Sequence, residues 1–162
     1  MYVKNWTIVE SARAKPGKKV SAQVMKDVVV KGQVIIPGKS VLTGHVAEVQ
    51  KQDQNHPEAR LRIVFDSIQL RGRNVAFTGV LEKAWIESQA MEDIPECIST
   101  PLAPCPVSIG PSENPSPGDD LSFSRFIKDE TGDGIVIVSQ RNVYLGWLTR
   151  FKVKVISPFR QQ

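Results

Sequence analysis

Hydrophobic and polar positions alternate with a period of two along much of the chain, and helical spacing is scarce. Val20, Ala22 and Val24 alternate with Ser21 and Gln23. Leu61, Ile63 and Phe65 alternate with Arg60, Arg62 and Asp66, and Phe151, Val153 and Val155 with Lys152 and Lys154. Successive side chains of a strand point to opposite faces, so each segment predicts a strand with one buried and one wetted side. Ile63 and Phe65 are expected to point inward and Arg62 outward. Further β-branched runs, at 28–30, 34–36, 41–49, 75–86 and 135–138, are punctuated by Pro-Gly, Lys-Gly, Arg-Gly and Asp-Gly turns. Lys15 to Val20 and Ile36 to Val41 share Pro-Gly-Lys-x-Val, a turn feeding a strand, but two matches do not make a repeat array. The pattern predicts a mainly β chain: one antiparallel β-barrel or barrel-like sandwich over residues 1–162, with little helix. Its last strand, near Phe151 to Ile156, is expected to close against the early strands.

The stretch Ser88 to Ser122 breaks this pattern, carrying seven of the eleven prolines and both cysteines. Proline removes ladder donors, so the segment is expected to be a long acidic loop or strap and not part of a sheet. Phe123, Phe126 and Ile127 are candidates to pin its far end to the barrel.

At 162 residues and 41% hydrophobic, the chain is expected to bury roughly 70% of its unfolded surface, enough for a core without disulfide or metal. No run approaches the roughly 20 apolar residues of a membrane-spanning helix, which predicts a chain without a transmembrane segment. The net charge of +4 hides a partition. Residues 1–39 hold eight basic and two acidic residues, 40–140 eight and fifteen, and 141–162 five and none. If the basic ends lie side by side, Lys18, Lys19, Lys152 and Lys154 form one rim or face suited to a polyanion.

Candidate chemistry is sparse, and neither a catalytic residue, a metal site nor a cofactor is assigned. His45 and His56 are the only histidines, too few for a triad or a histidine metal cluster without forced geometry. Asp129 to Gly134 imitates the first half of a calcium loop, but its twelfth position is Gln140, which lacks a carboxylate, so a hairpin turn is expected. Trp6, Trp85 and Trp147 are dispersed in sequence and are expected to pack in the core or at a barrel end. Asn5-Trp6-Thr7 fits a glycosylation acceptor only by composition.

The order of turns and strands carries a resemblance. Lys15 to Val28, then Gly32 to Val46 with Ile36-Pro37-Gly38-Lys39 and Gly44-His45-Val46, then Arg60-Leu61-Arg62-Ile63-Val64-Phe65-Asp66, resembles the β-barrel domain of TrbI-type scaffold proteins of conjugative type IV secretion. It is even more similar to a group of uncharacterised exported proteins, common in acidobacteria, that end with an Asn-Val-x-Leu strand such as Asn142-Val143-Tyr144-Leu145. The likeness covers about half the chain. TrbI-type scaffolds carry a transmembrane helix, a proline-rich linker and a membrane-crossing antenna, and no apolar run of that kind occurs here. At Pro37-Gly38 the residue usual between Pro and Gly is missing, so a tighter turn is expected.

The resemblance implies a non-catalytic structural or interaction module of the bacterial cell envelope. It also implies a periplasmic or secreted address, reached after removal of an export signal, and a partner that is a protein or another envelope component. In an oxidising compartment Cys97 and Cys105, spaced C-x7-C, are expected to form one disulfide, whereas in the cytosol both remain thiols. The rival reading is a small basic barrel that binds nucleic acid, supported by the charge partition and opposed by a lack of aromatic and basic interleaving on any one strand. A third is a hydrolase using Asp66 or Glu48 with a second carboxylate.

Overall fold

The computed structural model describes residues 1–87, 121 and 123–160. These form twelve strands: β1 (Tyr2–Asn5), β2 (Val9–Glu10), β3 (Lys19–Val24), β4 (Val28–Val30), β5 (Gln33–Ile36), β6 (Val41–Gln50), β7 (Ala59–Leu70), β8 (Arg73–Ile86), β9 (Ser124–Lys128), β10 (Ile135–Ser139), β11 (Tyr144–Leu145) and β12 (Thr149–Arg160). No helix occurs among the described residues. The expected strap, with Cys97 and Cys105, lies outside them except for Leu121, which packs against the core.

The main sheet runs β6-β3-β1-β12-β8-β7-β10-β9, and a further β6–β7 pairing closes its first six strands into an antiparallel ring. Closure removes the free edges that an open sheet would present. The last strand closes against the earliest one, with Val3 opposite Phe151 on one side and Val24 on the other. β9 and β10 continue outward from β7, where β10 pairs with Ala59 to Leu61 and β8 takes over from Val64. Two small ladders, β2–β11 and β4–β5, sit outside the ring.

The alternation works as expected at most positions; Val155, expected inward with Phe151 and Val153, is exposed, in a stretch of β12 whose pairing with β8 shifts register. Val20, Ala22, Val24, Leu42, Val46, Ile63, Phe65, Phe151 and Val153 are all buried in one core cluster. On β7 the phase slips after Phe65: Asp66 is exposed, Ser67 half-buried and Ile68 buried, at a register shift in the pairing with β8. A second shift lies opposite, between Thr43 and Gly44 of β6. There the backbones approach so closely that a Cβ on Gly44 would lie 2.1 Å from the Val64 carbonyl oxygen and 2.7 Å from Phe65 Cα. Only glycine fits that crossing.

The two Pro-Gly-Lys segments feed β3 and β6 by different turns. Gly17 takes the left-handed conformation in the first and Lys39 in the second, which closes as a tight Pro37-to-Ser40 turn with Ser40 N donating to the Pro37 carbonyl at 3.3 Å. Tyr144 and Leu145, within the Asn-Val-x-Leu segment, do form a strand, paired with β2. The segment 129–134 is the β9–β10 hairpin turn, with Asp129 N donating to the Gly134 carbonyl.

Candidate functional site

Val3 and Asn5 are buried, so the alternation of β1 turns Tyr2, Lys4 and the following Trp6 outward. Trp6 is held against β3 by its backbone N–H, which donates to the Ser21 carbonyl at 2.9 Å. Register then aligns the neighbouring strands. Tyr2 lies opposite Lys152, which lies opposite Lys83; Lys4 lies opposite Arg150, which lies opposite Trp85. The Tyr2 and Trp85 rings meet edge to face across the strand between them, with centroids 6.0 Å apart at 76°.

The loop before β12 completes the surface. The buried Asn5 amide donates to the carbonyls of Thr7 at 2.7 Å and Gly146 at 3.0 Å, which ties that loop to β1. From the other side the buried Arg150 guanidinium donates to the Trp147 carbonyl at 2.7 Å and pairs with the Glu87 carboxylate. Trp147 therefore stands beside Trp6 with 65% of its surface exposed, and the two indoles with Lys4 line an open cleft of about 300 Å³. Lys152 pairs with Glu82 at 3.2 Å, whereas Lys4 and Lys83 have no ion-pair partner among the described residues. Flat, partly exposed rings beside amines can stack on planar or ring-shaped ligands while the cations hold an acidic group.

This corrects two expectations. The tryptophans are not core or barrel-end packing: Trp6 and Trp147 are exposed and Trp85 half-buried on one outer face. Aromatic and basic residues do alternate outward at the start of the chain, with Tyr2 and Lys4 on β1 and Trp6 just past its end. That period-two signal stood in the sequence, in a segment short enough to be passed over. Asn5 is fully buried with its amide engaged, so the Asn5-Trp6-Thr7 triplet offers no accessible acceptor.

The four lysines expected on one rim are not gathered. β1 stands between β3 and β12. Lys152 is level with Tyr2 and hence with the residue after Val24, six residues beyond Lys19 along the strand direction, or roughly 20 Å. Lys154 lies farther still and pairs with Asp133 at 3.1 Å, while Lys18 donates to the Ile8 carbonyl at 2.8 Å. Antiparallel register, not nearness of the termini in the sheet, sets these positions.

The other candidates are separate surface pairs. His45 Nδ1 lies 2.7 Å from the Asp66 carboxylate, and Glu48 accepts from Arg60 Nε at 3.1 Å. His56 lies 3.1 Å from Asp53, whose carboxyl is held below the usual carboxylate range, chiefly by the Asn55 backbone N–H. Asp129 is buried, which favours its neutral form, yet hydrogen bonds from Thr131 and Gly134 and the nearby Arg62 overcome that and lower its pKa. No group of three or more His, Cys, Asp or Glu able to hold a metal ion occurs among the described residues. No helix long and apolar enough to cross a membrane occurs among the described residues. Comparison with family models, curated proteins and solved structures finds no match to this chain.

Proposed function

We propose that this chain is a non-catalytic interaction module of the bacterial cell envelope, working outside the cytoplasm, with the outer face of β1, β12 and β8 as its contact surface. The observation that carries the reading is the assembly of Tyr2, Trp6, Trp85 and Trp147 on one face from widely separated segments. Exposed tryptophan is costly in water and recurs at binding surfaces, where its large area drives association. The resemblance to TrbI-type barrels and to exported acidobacterial proteins supports the envelope address.

Photo-crosslinking in envelope fractions of the native host tests this contact. A photoreactive residue replacing Trp147 should give a discrete adduct, and one replacing Thr43 on β6 should give none. Equal adducts from both positions, or none at Trp147, would defeat it. The address has its own test. Thiol titration of denatured, unreduced protein taken from the host should find Cys97 and Cys105 bonded, and two free thiols would count against export.

Lys4, Lys83, Arg150 and Lys152 among the rings favour a second reading, an acidic polymer such as single-stranded nucleic acid. It ranks second because Glu82 and Glu87 neutralise half of those cations. A mixed oligonucleotide that quenches tryptophan emission, with affinity falling steeply as salt rises, would reverse the order.

A further inference from the structure

We propose that the barrel end carrying the β4–β5 hairpin docks on an anionic lipid bilayer. The hairpin forms its own two-stranded ladder and leaves Val29, Val30, Val34 and Ile35 exposed, with Met25 beside its root. A groove of about 620 Å³ between the hairpin and the β7–β8 turn joins Val34, Ile35, Leu70 and Val75 to Arg71 and Arg73. Aliphatic side chains flanked by cations suit a lipid interface, where the former enter the acyl boundary and the latter meet phosphate.

The charges at this end are one-sided. Lys26, Lys31, Lys39, Arg71 and Arg73 stand on the segments 25–40 and 69–76, whose only acidic residue is Asp27. Its carboxylate accepts a hydrogen bond from Gly38 N at 2.6 Å. The backbone supplies an independent observation. Among the described residues, the non-glycine residues with positive φ are Lys31 at 51°, Lys39 at 67° and Arg71 at 48°, all cationic and all at this end. Asn, Asp or Gly occupies left-handed positions more readily, and Lys31-Gly32 and Arg71-Gly72 form tight turns that usually prefer Asn-Gly or Asp-Gly. Retaining cations at strained positions that folding would fill otherwise points to a use for the charge.

Charge also selects the occupant. A second copy docked face to face would set these cations against one another, and this end offers aliphatic groups where a nucleic-acid platform needs exposed rings. This surface is distinct from the aromatic face, and the inference stands or falls separately from the proposed contact there.

Flotation of the full chain with lipid vesicles tests it. Phosphatidylcholine vesicles containing about one third phosphatidylglycerol should carry the protein at about 50 mM salt and release most of it at about 500 mM, and phosphatidylcholine alone should not. The triple change Lys31→Asn, Lys39→Asn and Arg71→Asn should weaken partitioning roughly a hundredfold, with an unchanged or higher melting temperature. If that variant melts early, Lys26→Gln with Arg73→Gln, outside the left-handed positions, should still lose at least about tenfold. Val29→Ser with Val34→Ser should also release the protein, and Trp6→Ala with Trp147→Ala should leave binding intact. Binding equal on both vesicle types, unchanged in the charge or valine variants, or lost in the tryptophan variant would overturn the proposal, as would self-association without vesicle binding.

Discussion

Phe65 and Arg62 show how far alternation reaches at single positions. Phe65 is fully buried, so Phe65→Ala should cost about 3–5 kcal/mol, against about 1 or less for Arg62→Ala, in denaturant unfolding. Equal losses would mean a different register. Arg62 points out of the barrel as expected, yet it is partly covered and lies 3.8 Å from the Asp129 carboxylate, a contact made by a hairpin far along the chain. Gly44 is a position that alternation misreads. A glycine within a strand run reads as a weak point, whereas its lack of a Cβ is what lets β6 cross β7 at Val64. Gly44→Ala should therefore destabilise by about 2–4 kcal/mol, more than an alanine added to a strand normally does.

At the level of elements, the β9–β10 hairpin links a local turn to pH. Asp129 caps its own turn, accepting from Thr131 N at 3.1 Å and Thr131 Oγ1 at 2.7 Å. Its folded pKa lies below the unfolded value of 3.8, so between the two the unfolded chain binds more protons. The stabilisation is complete above the unfolded value and disappears as pH falls through the folded one. Asp129→Asn should flatten the acid limb of the stability curve below about pH 4 while leaving its shape near neutrality unchanged. An acid limb identical to that of the parent would assign the loss to other carboxylates. The Asp-Gly signal predicted the turn. It did not reveal the buried carboxylate, because the burial comes from packing against β7 and β8, with Arg62 and Val80 beside Asp129 and Gly134.

Across the whole molecule, ring closure should divide stability. Amides of the ring strands, such as those of Ile63 and Phe151, should exchange only through global unfolding, while those of the β4–β5 hairpin, which lies outside the ring, should exchange much faster. Uniform protection would show that the hairpin is held as firmly as the barrel. The sequence alone determined the β class, most strand positions, the turns and most of the inward residues, because side-chain alternation and turn chemistry are local properties. The two-residue strands β2 and β11 give too short a pattern to announce themselves by alternation. Only the tertiary structure decided which outward residues become neighbours. Cross-strand register set Tyr2 diagonal to Trp85 and drew Lys18 and Lys19 away from Lys152 and Lys154, while hydrogen bonds from Asn5 and Arg150 brought Trp147 beside Trp6; both are relations between segments distant in the chain that no local pattern encodes.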